Sequence, residues 1–355
     1  MTGSKTASVT VADLGEHELI DRITTRLPLA PDWLLVGPGD DGAVVSPKRN
    51  ELEVITTDAS VEGVHFDRRF VPSGAIGHRA LAVNLSDLAA MGATPRLATL
   101  SLAMPGALPL TEFEGLVDGM LALARRHGTT VVGGNLSRSP GPLVVDMMVM
   151  GTVRPRRVLT RAGARPGDVV FVSGSIGAAR AGLAMCAGSG DGRPPESRWD
   201  AVSEEDAATA RGRYLRPEPR VRLGVLIGRN QAASSCMDLS DGLSDGLRGL
   251  ARASGTGVTI DADALPIDPE ARAYFETDGR DALLEAVAGG DDYELLFTVP
   301  PRRQGRLGAV ARLARGVTFT RIGMVTRDPA IVLRRGGRDE PLPASYAHFG
   351  RPMSC

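Results

Sequence analysis

The feature that most limits what this chain can fold into is a set of aspartates in Gly-, Ser- and Thr-rich segments beside apolar runs. These segments are GPGDDG (37–42), VITTDAS (54–60), NLSDLAAMG (84–92), CMDLSDGLSDG (236–246) and AGGDDYELLF (288–297). Clustered carboxylates repel one another unless a cation lies among them, and oxygen ligands without His or Cys suit Mg²⁺. Because Mg²⁺ in such sites usually carries a nucleotide phosphate, the pattern predicts a Mg-nucleotide enzyme.

Length and charge limit the remaining possibilities. A chain of 355 residues is long for one hydrophobic core, so two domains are expected. The net charge of −1, the lack of a Lys/Arg run and the 4% aromatic content argue against a nucleic-acid partner. The three scattered cysteines indicate neither disulfides nor zinc, and no segment is apolar enough for a signal peptide or a membrane span. A cytoplasmic location is therefore expected.

The hydrophobic periodicity predicts how the chain is organised. Residues 1–13 are predicted to be a disordered tail, and residues 14–155 to form a ββαβαββ domain of the α+β class with a mixed or antiparallel sheet. Strand–turn–helix units in residues 156–355 predict a second, α/β domain. The Pro/Gly-rich residues 188–213 are predicted to be a mobile loop.

The segment DLSDGLSDG is the most informative local pattern. It places Asp238 and Asp241 three residues apart at the start of a predicted helix, where the free N–H groups favour the binding of a phosphate. The two carboxylates can then share a cation that the phosphate also binds. The alternative is helix capping, which explains one aspartate but not two. On another predicted helix, Asn84 and Asp87 lie three residues apart and can address one pocket.

Three other segments permit both a functional and a structural interpretation. Asp40 and Asp41 lie in a glycine turn that is typical of a solvated loop. The segment Thr56-Thr57-Asp58, predicted at the end of a strand, supplies Mg²⁺ ligands or an Asx/ST turn. The segment GGN (133–135), predicted to interrupt a strand, lets the backbone approach a phosphate or simply makes a turn. No Walker A motif is present, so a nucleotide would depend on carboxylate-held Mg²⁺.

Single residues are more ambiguous. His65 in EGVHF is more often structural than functional, and Arg161 could clamp a phosphate although surface arginines are mostly solvated. Asp291 precedes a strongly β-prone run, where it could bind a cationic or hydrogen-bonding substrate or merely cap the strand.

In their order along the chain, these motifs resemble the thiamine-monophosphate kinase family, part of a superfamily that includes aminoimidazole ribonucleotide synthetase. The resemblance covers about residues 37 to 350. The matching segments are GDDGAVV, TTDASVEGVHF, RALAVNLSDLAAMGATP, VVGGN, LTRAGARPGD, DLSDGL, GGDDYELLF and YAHFG.

The resemblance implies two α/β domains, with an N-terminal mixed-sheet domain that pairs through its sheet in a homodimer. It implies transfer of phosphate from ATP to thiamine monophosphate with several Mg²⁺ ions, in a cleft beside the dimer interface. The implied metal ligands are Asp41, Thr56, Thr57, Asp58, Asp87, Asp238 and Asp241, with Asp40 beside them. Gly134, Asn135, Arg161 and Ser240 are implied to bind ATP, and His65, Asp291 and Tyr346 to bind thiamine phosphate.

One residue departs from the family pattern, because the chain has GGN where the family usually has GGD. We expect Asn135 to weaken the binding of one Mg²⁺ without abolishing activity. Aminoimidazole ribonucleotide synthetase fits DLSDGL and GGDDYEL less well, and selenide water dikinase would need an N-terminal reactive Cys that this chain lacks. Another small anionic acceptor, or a non-catalytic Mg-nucleotide scaffold, is the remaining alternative.

Overall fold

The computed structural model describes residues 9–188 and 209–345. The helices of the first half are α1 (Val11–Leu14), α2 (Glu16–Thr24), α3 (Ser73–Ala90) and α4 (Leu110–His127). Its strands are β1 (Leu34–Val36), β2 (Val44–Val45), β3 (Leu52–Val61), β4 (Thr94–Pro105), β5 (Thr130–Ser139) and β6 (Val144–Val153). The predicted order ββαβαββ corresponds to β1, β3, α3, β4, α4, β5 and β6, and the two-residue strand β2 was not predicted.

The second half begins with a short 3₁₀ turn (Pro155–Arg157). Its helices are α5 (Ala178–Gly188), α6 (Ala210–Leu215), α7 (Val221–Asn230), α8 (Leu243–Ser254), α9 (Pro269–Thr277), α10 (Ala282–Ala288) and α11 (Gln304–Leu313). Its strands are β7 (Val169–Ser173), β8 (Ser235–Asp238), β9 (Gly257–Asp261), β10 (Leu295–Val299), β11 (Phe319–Thr326), β12 (Ile331–Arg335) and β13 (Arg338–Pro341).

Each half is built on its own mixed sheet. The first sheet has the order β3-β6-β4-β5, in which β4 and β5 are parallel and the other neighbours antiparallel. The second has the order β13-β12-β9-β11-β7-β10-β8, with β9 and β12 as the parallel pair. The two sheets with their helices confirm a two-domain fold that mixes helices and strands.

Helices α3 and α4 cover one face of the first sheet, where Met147 and Val149 of β6 are fully buried. The two helices lie unusually close because glycines form their contact. A Cβ atom added to Gly77 would lie 1.8 Å from the carbonyl oxygen of Leu116. Since no side chain fits in that space, the position requires glycine.

Helix α3 also joins the two halves. A Cβ atom on Gly224 of α7 would lie 1.9 Å from the Ala89 carbonyl oxygen, so α3 and α7 are in close contact as well. On the same helix, Nε2 of the buried His78 lies 2.9 Å from the carbonyl oxygen of Pro217. Burial lowers the pKa of His78 to about 4, so this imidazole is neutral and donates the hydrogen bond.

Three expectations from the sequence require correction. Residues 11–13, expected in a disordered tail, belong to α1, whose start is held by hydrogen bonds between Thr10 and Asp13. Strand β3 continues through Thr56-Thr57-Asp58 to Val61 instead of ending there, because the whole segment pairs with β6. Strand β5 likewise continues through Gly133 and Gly134, because it pairs with β4 on both sides of a bulge.

The predicted mobile loop at 188–213 lies mostly outside the described residues. Its last residues, from Ala210 onwards, begin α6, and the Thr209 side chain caps that helix by accepting a hydrogen bond from the Gly212 N–H. Within residues 9–188 and 209–345, no helix is long and apolar enough to cross a membrane.

Candidate active site

A cleft of about 820 Å³ lies where α3 and β3 of the first half meet the segments around 238–241 and 289–293 of the second. Eight of the residues singled out from the sequence line it. They are Asp58, His65, Asp87, Arg161, Asp238, Ser240, Asp241 and Asp291. Motifs separated by up to 233 positions, from Asp58 to Asp291, thus face one cavity.

Three carboxylates form the acidic wall of this cleft: Asp58 on β3, Asp87 on α3 and Asp238 at the end of β8. The Thr56 hydroxyl donates a hydrogen bond to Asp87, and the Ser86 hydroxyl donates one to Asp238 at 2.7 Å. Hydroxyl groups hold these side chains in place without neutralising their charge. We refer to Asp58, Asp87 and Asp238 below as the acidic wall.

Burial and mutual repulsion dominate the electrostatics of the acidic wall. Burial, then the charges of Asp87 and Asp238, raise the pKa of Asp58 to about 7. Burial, followed by the charge of Asp87, raises the pKa of Asp238 to about 6, although Arg161 acts in the opposite direction. The protein thus holds carboxylates together at a cost that a bound cation would remove.

The donors fit Mg²⁺ in chemical type, since carboxylate and hydroxyl oxygens are what a hard cation prefers. Among the described residues, however, no three His, Cys, Asp or Glu side chains already stand in a metal-binding arrangement. The acidic wall thus concentrates negative charge on the cleft without a ready-made cluster of metal ligands.

The structure excludes helix capping as the reason for Asp238 and Asp241. Gly242 is the N-cap residue of α8, with φ +93°, so neither aspartate occupies the cap. Asp238 ends β8, and Asp241 lies in the turn that follows it. Both carboxylates line the cleft instead of capping the helix.

The segment GGDDY forms a tight turn against that same loop. The Asp291 N–H donates to the Ser240 carbonyl at 2.7 Å, and the Tyr293 N–H donates to the Leu239 carbonyl at 3.0 Å. Asp291 and Tyr293 have φ values of +69° and +51°, a region that non-glycine residues rarely adopt. A Cβ atom on Gly290 would lie 2.4 Å from the Ser240 carbonyl oxygen, which explains the glycine.

Two other acids of this motif are satisfied by the protein. Asp292 accepts hydrogen bonds from the N–H groups of Gly177 and Ala179 at 2.7 and 3.3 Å, and burial raises its pKa to about 7. The fully buried Glu294 forms ion pairs with two arginines, Arg213 and Arg220. These acids hold the second half together and are not available to a ligand.

A site residue that sequence reasoning missed is Arg79. Its side chain is 7% exposed, lines the cleft, and donates from Nη2 to Asp291 Oδ1 at 2.9 Å. The helical spacing of the sequence could have indicated this residue. One face of α3 carries a residue at every fourth position that lines the cleft, namely Arg79, Val83 and Asp87. Tyr293, which donates to the same Oδ1 at 3.0 Å, was also missed as a site residue.

His65 lies at the cleft wall next to β3. Its Nδ1 accepts a hydrogen bond from the Val61 N–H at 3.1 Å. This contact fixes the tautomer of the neutral ring, with the proton on Nε2. The hydrogen bond from the Val61 backbone therefore leaves the Nε2–H group of His65 as the donor of the neutral ring.

Several predicted residues lie elsewhere. Asp40 and Asp41 lie in an exposed loop between β1 and β2, outside the cleft lining. Thr57 and Asn135 are exposed on the sheet face opposite Asp58, because successive residues of a strand alternate between faces. On that face Thr57 donates a hydrogen bond to Asp146 at 3.1 Å.

Gly134 also falls outside the cleft lining. Gly134 is needed for sheet packing, since a Cβ atom there would lie 2.0 Å from the Leu100 carbonyl oxygen. Tyr346 falls outside the described residues.

Known families match both halves of this chain. Residues 39–153 match the AIR synthase related protein, N-terminal domain, and residues 165–336 match the corresponding C-terminal domain. The fold and the site thus define a two-domain protein of the AIR synthase-related class.

Closer relatives narrow the class. The thiamine-monophosphate kinase of Salmonella typhimurium is 38% identical over 315 residues, which cover 88% of this chain and 91% of the relative. The crystal structure of thiamine-monophosphate kinase from Stenotrophomonas maltophilia K279a has a TM-score of 0.77 and 38% identity, covering 89% of this chain and 95% of that one. The structure of AaThiL complexed with AMPPCP and TMP has a TM-score of 0.71 and 32% identity, covering 96% and 99%. The chain belongs to the thiamine-monophosphate kinase family.

Proposed function

We propose that this protein phosphorylates thiamine monophosphate with ATP to give thiamine diphosphate and ADP, the last step in making that cofactor. The observation that carries the proposal is the acidic wall, in which three carboxylates line one cleft and burial with mutual repulsion raises the pKa of Asp58 and Asp238. Family membership and the relative solved with AMPPCP and TMP support the choice of substrates.

Mg²⁺ would be held by Asp58, Asp87 and Asp238 of the acidic wall, together with Asp241. Thr56 orients Asp87 through its hydroxyl. When bound, the ions neutralise the phosphates of both anionic substrates and align them. The ligand roles of Asp41 and Thr57 are proposed from the family resemblance, since neither residue lines the cleft.

The residues of the chain would bind and orient the two substrates. Arg161 and Ser240 lie at the wall near Asp238 and would contact ATP, while His65 and Asp291 would contact thiamine monophosphate. An oxygen of the acceptor phosphate attacks the γ-phosphorus of ATP, and the bond from that phosphorus to the leaving ADP oxygen breaks. The acceptor oxygen is already ionised near pH 7, because the second phosphate pKa is about 6, so we assign no general base.

We further propose that the protein is a homodimer formed through the open face of its first sheet, within residues 14–155. Large apolar side chains lie exposed near this face: Ile55, which shares the face of Thr57 on β3, and Leu35 on β1 are each 64% exposed. Unpartnered apolar surface of this kind favours a protein interface. Thr57 and Asn135 share this face, so the ATP and metal roles proposed for them, and for Gly134, depend on pairing.

Two remaining assignments are also proposals. Tyr346 would contact the thiamine moiety, as the family resemblance implies. A cytoplasmic location agrees with the free, buried thiols of Cys186 and Cys236 in the described part of the chain, because reduced thiols are typical of reducing compartments.

The test is an assay of purified protein with Mg-ATP and thiamine monophosphate, with products resolved by chromatography. We expect thiamine diphosphate and ADP in equal amounts, and no ADP when the acceptor is left out. ADP that forms at the same rate without thiamine monophosphate would refute the proposed acceptor. Mg-ATP binding without any turnover would favour a scaffold, and turnover with another small anion would favour a divergent kinase.

A further inference from the structure

We propose that Arg79 and Tyr293 are positioning residues that turn the Asp291 carboxylate toward the acceptor substrate. The proposal rests on the function proposed above and assigns the means by which the acceptor is recognised. It begins from an asymmetry at Asp291: both donors, Arg79 Nη2 at 2.9 Å and Tyr293 OH at 3.0 Å, use the same oxygen, Oδ1. Within the described chain, Oδ2 accepts no hydrogen bond, and the side chain is 30% exposed in the cleft.

Arg79 cannot move away from this position without breaking other contacts. Its Nη1 donates to the backbone carbonyl of Tyr214 on α6, and its guanidinium lies 4.5 Å from the centre of the Tyr214 ring. The planar guanidinium therefore bridges α3, α6 and the Asp291 turn, with each of its two terminal nitrogens donating to one acceptor. A lysine could retain the charge at this site but could not make both contacts.

The backbone sets where Asp291 lies, and the two donors set how its carboxylate is turned. The left-handed φ of +69° and the N–H bond to Ser240 fix the Cα position at the cleft mouth. The two hydrogen bonds then restrict rotation of the carboxylate, because moving Oδ1 would break both. Oδ2 is left as the acceptor oxygen for a ligand.

This arrangement selects a chemical class of acceptor. A carboxylate oxygen without a protein partner favours a group that donates hydrogen bonds or carries positive charge. The acceptor must also bring an anionic phosphate to the acidic wall, where a bound cation would receive it. The geometry thus suits a molecule with a cationic or amino-bearing end and a phosphate end, which describes thiamine monophosphate.

The experiment compares Arg79→Met, Arg79→Lys, Tyr293→Phe and Asp291→Asn with the double variant R79M/D291N, by steady-state kinetics in which each substrate is varied. We expect Arg79→Met to lower kcat/KM for thiamine monophosphate by about tenfold to a hundredfold, the range for a charged hydrogen bond, while KM for ATP changes by less than about twofold. Arg79→Lys should recover part of the loss. Because Arg79 acts through Asp291, the double variant should be no worse than Asp291→Asn alone.

Two results would overturn the proposal. Equal changes in KM for ATP and for the acceptor in Arg79→Met, or losses that multiply in the double variant, would show that Arg79 is only a bridge between the halves. Urea unfolding of the same proteins provides a readout independent of activity, and zero coupling between Arg79→Met and Asp291→Asn would refute the contact itself. A wild-type protein inactive toward thiamine monophosphate would instead refute the proposed function, while the unfolding cycle would still report on the contact.

Discussion

Replacing Asp58 by Asn should stabilise the metal-free protein while abolishing the proposed activity. The pKa of Asp58 is raised from 3.8 to about 7 by burial and by the neighbouring carboxylates, so its charged form destabilises the fold. Over that range the folded state binds more protons than the unfolded chain. The stability that comes from protonating Asp58 is therefore present at low pH and lost as the pH rises through about 7.

The size of the effect follows from the same values. A rise from 3.8 to about 7 corresponds to an upper limit of about 4 kcal/mol at pH 8. Because the side chain is only half-buried, solvent screening reduces this, and we expect a gain of about 1 to 2 kcal/mol for Asp58→Asn at pH 8. The gain should be smaller at pH 5, where the wild-type carboxyl is mostly protonated in the folded state.

The assay is urea unfolding in a metal chelator at pH 5 and pH 8, repeated at pH 8 with Mg²⁺. Mg²⁺ should stabilise the wild type more than the variant, with about 2.7 kcal/mol expected at a hundred times the dissociation constant. Asp339→Asn on β13, which removes an exposed carboxylate paired with Arg334, is the matched control and should leave the pH profile unchanged. An Asp58→Asn protein less stable than the wild type at pH 8, or a difference independent of pH, would refute the reasoning.

Three other predictions test the fold and the metal site. The pKa of the buried His78 is lowered to about 4, so the stability that comes from keeping this imidazole neutral is fully present above pH 6.5 and is lost as the pH falls toward 4. In urea unfolding, His78→Gln should therefore lose up to about 3 kcal/mol less stability than the wild type over that pH range. Gly77→Ala places a Cβ 1.8 Å from the Leu116 carbonyl oxygen and should lower the free energy of unfolding by about 3 kcal/mol or more. Gly308→Ala, on an open helix surface, is the control and should raise it by up to about 1 kcal/mol. The denaturant midpoints of the two variants and the wild type give the comparison. Asn135→Asp should lower the Mg²⁺ concentration needed for half-maximal turnover, and an unchanged Mg²⁺ dependence would contradict the metal role of this position.

The sequence allowed much of the cleft to be anticipated, because its aspartates lie in motifs whose residue types have few structural uses. Asp58, Asp87 and Asp238 come from three such motifs, and the fold brings them to one wall. The motifs could not show on which face of its strand or helix each side chain lies. Thr57 follows Thr56 in the same motif, yet strand β3 continues through both, so the alternation of a strand sends them to opposite faces.

The missed arginine has a different cause. Arg79 lies in the run HRALAVNLSDLAAMG, in which Asn84 and Asp87 are the residues that the sequence marks as functional. Its partner Asp291 lies 212 positions away, and a pairing of that kind is set by how α3 docks on the second half. Helical spacing placed Arg79 on the face of Asp87, but local pattern could not show that this face meets the GGDDY turn.

The acids that line this cleft and those packed behind it differ in how neighbouring groups compensate their charge, and we expect a cation where the charge is compensated least. The fully buried carboxylate of Glu294 is compensated by ion pairs with two arginines, Arg213 and Arg220. At Asp58, burial and all of its main charged neighbours instead raise the pKa. On the same cleft Arg79 pairs with Asp291, whereas Asp87 and Asp238 of the acidic wall accept hydrogen bonds from hydroxyl groups, and the charge of Arg161 only partly offsets the raised pKa of Asp238. A site that keeps its charge uncompensated destabilises the empty protein, and the binding of a divalent cation reverses that cost, so metal binding and folding stability should rise and fall together here.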